Sequence, residues 1–164
     1  MYMNKRINRV KVSLGGAIKR KNPSKASLLY NKLNLINGRV LDYGCGYGLD
    51  AKVNKWESYD PYYNDIKLDG LYDTIVCTNV LSAVSSKIRS GIIENIRELL
   101  KDDGIAYFAM PRNLPIKGKL SGYARRPQNY VILTLESIYK DNKIEIYKFL
   151  KNSKYIDKTK NIME

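Results

Sequence analysis

The residues whose types and spacing could do chemistry are gathered in Val40-Leu41-Asp42-Tyr43-Gly44-Cys45-Gly46-Tyr47-Gly48. Val and Leu suit a strand buried on both faces. Asp42 stands near its end, and three glycines follow at alternate positions. Glycine permits a positive φ and offers no Cβ to fend off a ligand. A carboxylate beside such a loop suits a ligand that carries a cation. The spacing is G-x-G-x-G, whereas dinucleotide-binding loops read G-x-G-x-x-G. A second carboxylate, Asp60, lies sixteen residues past Gly44. That is close to the spacing a strand-helix-strand unit gives between the ends of its two strands. Taken without the glycine loop upstream, it reads as a solvated turn aspartate before Pro61.

Several elements must hold these residues in place. Asn22-Pro23 reads as an N-cap with proline at the first helical position, opening a helix through Ala26, Leu28, Leu29 and Leu33. Asn37-Gly38 signals a turn into a strand over 39–43. A short helix over 49–55 and a strand over 56–59 come next. Only twelve residues separate Asp60 from the next strand, which begins near Asp73. Ile66 to Leu68 could be the remnant of one further strand, with Asp69 at its end. The run Asp73 to Asn79 is a buried strand. Ligands of open α/β sheets sit beyond the carboxyl ends of such strands, which makes Asn79 either an active-site group or a cap for the next helix. Ser85 or Ser86 caps a helix with Ile88, Ile92, Ile96, Leu99 and Leu100 at helical spacing, and Asp103-Gly104 ends it. Ile105 to Met110 is another buried strand. A long basic loop over 111–129 is of a length usually functional. Beyond it, the pattern predicts a strand over 130–133, a helix from Thr134 to Lys140, an edge strand over 143–150 and a charged, frayed tail over 151–164. The whole is a single α/β domain: a basic arm or lid over 1–21, then a core over 22–150.

Composition narrows the chemistry. Histidine is absent, which removes Ser-His-Asp and Cys-His catalysis and any His-ligated metal. Cys45 and Cys77 have no metal-like spacing and read as reduced core thiols; no metal is expected. No apolar run reaches membrane-spanning length, and no signal core follows the basic N-terminus. A cytoplasmic protein without a membrane partner is expected, monomeric or homodimeric. The net charge is +13, and no Asp or Glu precedes Asp42. A second acid-free stretch carries Arg112, Lys117, Lys119, Arg125 and Arg126. Such clusters attract polyanions, nucleic acid above all. A Lys-rich proteome with a generally basic surface would look the same.

The glycine loop, Asp60 and the strand-helix-strand block ending in Leu99-Leu100-Lys101-Asp102-Asp103-Gly104 together resemble the class I S-adenosylmethionine (SAM)-dependent methyltransferases over roughly residues 36–110. The wider order, including Tyr59-Asp60-Pro61-Tyr62-Tyr63, resembles the small compact members found in viruses and prokaryotes. The resemblance implies a Rossmann-like sheet with helices on both faces, trimmed here between its second and fourth strands. It implies SAM as cofactor, with S-adenosylhomocysteine (SAH) as product. Asp42, Gly44, Cys45, Gly46 and Gly48 would hold its methionine end, and Asp60, Pro61 and Tyr62 its ribose side. Asn79 would face the transferred methyl group as the candidate catalytic residue. Tyr62, Tyr63 and Ile66 could form an adenine face or simply cap exposed core. The methyl acceptor could be DNA or RNA, gripped by Arg20, Lys21, Arg112, Arg125 and Arg126. It could instead be a small molecule or a protein. A silent nucleic-acid-binding protein that keeps the fold is the reading from another class. The aromatic that would stack on a flipped base is absent after Asn79, where the chain reads Val80-Leu81-Ser82.

Overall fold

A computed structural model describes residues 17–121 and 126–160. Most of the basic arm, residues 1–16, lies outside that range, as do Arg125 and the last four residues. The elements are α1 (Lys25–Lys32), β1 (Val40–Tyr43), α2 (Leu49–Asn54), β2 (Glu57–Tyr59), β3 (Tyr72–Thr78), α3 (Ser86–Leu99), β4 (Leu100–Pro111), β5 (Lys119–Leu120), β6 (Pro127–Gln128), β7 (Glu136–Lys140) and β8 (Ile144–Leu150), with a short 3-10 turn at Leu81–Ala83.

Six strands form one sheet in the order β2-β1-β3-β4-β8-β7, and β5 with β6 makes a separate small ribbon. The pairs β1-β2, β1-β3 and β3-β4 are parallel, while β8 runs antiparallel to both β4 and β7. The buried strands alternate between two cores. Leu41, Ile75, Cys77, Ala106, Phe108 and Met110 meet Ile93 and Ile96 of α3 on one face. Val76, Tyr107, Ala109, Ile144 and Ile146 meet Ala26, Leu29 and Tyr30 of α1 on the other. Helices therefore cover both faces, as a parallel sheet demands. Burying each α3 isoleucine is worth roughly 2 kcal/mol.

The trimming beside Asp60 is real: residues 61–71 form no strand, so Ile66 to Leu68 is not a remnant of one. The β2 edge this leaves is blunted locally, because Asn64 Nδ2 donates to the Ser58 carbonyl at 3.0 Å.

Six expectations need correction. Helix α1 begins two residues late, because Ser24, not Asn22, is its N-cap and accepts from the Ser27 N–H. Asp103-Gly104 does not end α3; the chain turns at Leu100 straight into the long strand β4. Residues 130–133 form no strand, only a bridge between Leu133 and Asp157. The helix expected over 134–140 is strand β7, since pairing with β8 outweighs a weak helical pattern. That pairing puts β8 inside the sheet, not at its edge. The tail is not frayed through residue 160 either. Thr134 N–H donates to the Ile156 carbonyl, Lys158 N–H to the Ile132 carbonyl, and Tyr155 packs on Phe149. No helix among the described residues is long and apolar enough to cross a membrane.

Candidate cofactor site

The glycine loop leaves β1 at the carboxyl edge of the sheet. Gly44, Gly46 and Gly48 all have positive φ, at +81°, +57° and +82°. The missing side chains do different things. A Cβ on Gly44 would stand 2.4 Å from Val80 Cγ2, and one on Gly46 2.8 Å from the Ala17 Cβ, whereas one on Gly48 would meet nothing within 4 Å. Two of the three glycines thus let the protein close on itself, and only Gly48 borders open space. The loop is tied to β2 by its own backbone: the N–H groups of Gly44 and Cys45 both donate to the Tyr59 carbonyl, at 2.7 and 3.0 Å.

Asp42 is 4% exposed. Among the described residues no donor reaches its carboxylate, yet no wholly buried side-chain polar atom lacks a partner. It lies in β1, two residues before the first glycine of the loop. Burial, with the neighbouring Asp50 carboxylate next in weight, pushes it up to about 7 from an ordinary 3.8; Arg20 opposes the shift and Asp60 adds to it. A buried carboxylate short of partners is costly, and a cation placed against it removes that cost. The donor set therefore fits the ammonium-bearing end of SAM.

Asp60, at the end of β2, is already a structural acceptor. Its Oδ2 takes the Gly46 N–H at 2.9 Å, and Oδ1 takes the Tyr62 and Tyr63 N–H groups at 2.9 and 3.1 Å. A carboxylate offers about four lone-pair sites, so capacity remains on Oδ2. Pro61 and Tyr62 beside it are exposed. Tyr63 packs on Tyr47 of the glycine loop at 4.6 Å between ring centroids and on Tyr62 at 4.7 Å, an aromatic lip joining the two loops.

Asn79 follows β3 with φ +57°, a left-handed conformation that asparagine tolerates better than most residues. Its N–H donates to the Ala109 carbonyl, and its own carbonyl accepts from Ser82 Oγ. The 3-10 turn beyond starts at Val80 without a side-chain cap, so Asn79 does not cap it. The residue is exposed at the carboxyl edge, beside Gly44 through Val80. Cys45 is buried, and burial, then Asp42 and Asp60, pushes its thiol up to about 12. It serves as a small residue here, not as a nucleophile. Cys77 lies deep in β3, with its thiol raised still further by burial.

The basic candidates separate. Arg112 is not a surface residue. Its Nε donates to Glu145 at 2.6 Å, its Nη2 to the Val131 carbonyl and the Tyr147 hydroxyl, and its guanidinium lies 4.1 Å from the Tyr130 ring centroid. The charge the sequence offered to a polyanion is spent inside the fold. Arg20 is held on Asp50 at 3.4 Å through both terminal nitrogens. Lys21 is exposed, and Arg126 precedes β6, where Ser121 and Arg126 exchange hydrogen bonds.

Sequence reasoning missed three residues. Asp50 is buried in the first turn of α2 and accepts from the Ser24 N–H and Oγ at 2.7 and 2.6 Å; its place just after Gly48 was a usable signal. Val80 fills the space Gly44 leaves, which no spacing announces. Arg89 is fully buried and donates to the Leu81 and Val84 carbonyls and to Asp157 at 2.7 Å, bracing the loop beyond Asn79.

Comparison with known proteins now decides the lineage. A family model described as a methyltransferase domain matches residues 18–140. The chain belongs to that family, and its fold and cofactor class are those of the class I SAM-dependent methyltransferases. Nodulation protein S of Azorhizobium caulinodans is 44% identical over 59 residues, which are 35% of this chain and 28% of that protein. The SAH complex of DhpI superposes with a TM-score of 0.52 at 10% identity, over 75% of this chain and 81% of that one. PKMT2 from Rickettsia typhi, in complex with AdoHcy, is 25% identical over 59% of this chain and 24% of its own, with a TM-score of 0.36. The chain thus spans about a quarter of the length of two of the relatives it matches.

Proposed function

We propose that the protein transfers a methyl group from SAM to an acceptor placed beyond the carboxyl ends of β1 and β3. The observation that carries this is Asp42: a buried carboxylate that no donor among the described residues reaches, two residues before the glycine loop. Asp42 would hold the cofactor's ammonium group, and the bare backbone at Gly48 would let its methionine end lie close. Asp60 Oδ2 would accept a ribose hydroxyl with the capacity its structural bonds leave. When bound, SAM supplies the methyl group and, as a sulfonium, its own good leaving group. The protein is then asked to align the acceptor and to exclude water, so the missing histidine is no obstacle. Asn79, exposed just past β3, would orient the acceptor.

The acceptor is proposed to be nucleic acid. Support comes from the acid-free N-terminal segment and from the exposed or half-exposed Lys21, Lys119 and Arg126. Arg112 leaves this set because its guanidinium is buried against Glu145. A methyl-transfer screen with labelled SAM against RNA, DNA, protein and metabolite pools tests the reading. Label in RNA or DNA supports it. Label only in protein or metabolites replaces the acceptor class, and no SAM turnover or binding at all rejects the enzyme.

A further inference from the structure

Residues 17–24 span the two loops assigned to the cofactor. At one end, Ala17 sits on the backbone of Gly46, and its own backbone lies within hydrogen-bonding reach of the Tyr63 hydroxyl. At the other end, Ser24 grips Asp50 with both its N–H and its Oγ. Between them Arg20 reaches the same carboxylate with both terminal nitrogens, at 3.4 Å. Asp50 therefore accepts four hydrogen bonds and has no lone pair to give a ligand. Its side chain is 6% exposed, against 35% for Arg20.

We propose that Asp50, Arg20 and Ser24 are positioning residues for the cofactor: they fasten residues 17–24 as a strap across the glycine loop, with Ser24 as the fixed end and Arg20 as the releasable latch. This rests on the SAM reading of the site. The short Ser24 bonds belong to the N-cap of α1 and stay with the helix. The longer Arg20 bonds are the weaker pair and break first. Opening the latch uncovers Gly46 and the Tyr47-Tyr63 lip together, because Ala17 touches both loops. It also removes the one cation that faces Asp42 and Asp50 from the strap, so the open form is charge-unbalanced until the cofactor's ammonium group arrives. Closing the strap over bound ligand slows its escape.

The test uses Arg20→Met, which keeps length and loses charge, with Arg20→Lys as the conservative variant. Trypsin cleavage after Lys19 and Lys21, sites both variants retain, reports strap opening. SAH dissociation, followed by stopped flow, reports closure. Arg20→Met is expected to be cleaved faster when free and to release SAH about fivefold faster. Arg20→Lys should recover most of both, with the melting temperature of each variant near that of the wild type. Asp50→Asn should reproduce Arg20→Met; if it fails to fold, Arg20→Met decides. Equal cleavage and equal SAH release in Arg20→Met and wild type overturn the strap alone. A wild type that binds no SAH removes the cofactor reading and the strap's purpose with it.

Discussion

Replacing Asp42 with Asn keeps the shape of the side chain and removes its charge, which isolates the cost of burying that carboxylate. In the folded protein the group is raised from 3.8 to about 7, by burial first and Asp50 second, with Arg20 opposing and Asp60 adding. A raised folded value means the native state holds the proton more tightly than the unfolded chain. The stabilisation this gives is fully present below the unfolded value, near pH 4, and is lost as pH rises through about 7. A shift of roughly three units corresponds to at most ~4 kcal/mol. Asp42→Asn should therefore match wild type only below about pH 4, gain on it steadily as pH rises towards 7, and exceed it by a few kcal/mol at pH 8, by urea denaturation without ligand. Binding should move the opposite way. An ammonium ligand favours ionised Asp42, so wild-type affinity for SAH should rise up to about tenfold per pH unit below 7 and level off above it. Asp42→Asn should bind weakly and without that slope. A variant no more stable than wild type at pH 8, together with a flat wild-type affinity from pH 5.5 to 8, would refute the reasoning.

Gly44→Ala should lower stability by about 2 kcal/mol through its left-handed backbone and the Val80 contact; in a Val80→Ala background the same change should cost about 1 kcal/mol less, read by a double-mutant cycle in urea. Asp157→Ala removes the carboxylate to which the fully buried Arg89 donates through Nε and should cost about 3 kcal/mol, with the loss seen in the melting transition. Arg112→Met should also lower the melting temperature while leaving the salt dependence of nucleic-acid binding unchanged, because its guanidinium is committed to Glu145 and Val131; a reduced salt slope would restore it to the surface set.

The site was legible where local chemistry is strict. Three alternating glycines and a strand-ending acid admit few other uses, and Asp60 at its spacing reflects the length of one short helix between two strands. For two of these glycines the structure supplies a reason that the sequence did not: a Cβ on Gly44 would meet Val80 and one on Gly46 would meet Ala17. The parallel strands from Val40 to Met110 were plain in their apolar runs, whereas the C-terminal third was not. Leu135, Ile138 and Tyr139 have helical spacing, and only the pairing of Glu136–Lys140 with β8 makes the segment that holds the last two a strand. Residues 151–160 are charged and look solvated, yet their exposure alternates residue by residue. That alternation turns Tyr155 and Asp157 inward to Phe149 and Arg89. Long-range partners of this kind leave no mark on neighbouring residues, which is also why the basic loop seemed to offer Arg112 to solvent.

The central claim is that one crevice, edged by Asp42, Gly48 and Asp60, takes a sulfonium nucleoside. Isothermal titration with SAH at pH 8, on wild type and on Asp60→Asn, tests it most directly, with NAD as the control titrant. The account predicts one SAH per chain for wild type, binding at least about tenfold weaker for Asp60→Asn, and no heat from NAD. Silence from wild type with SAH, or equal binding by the folded variant, would contradict it.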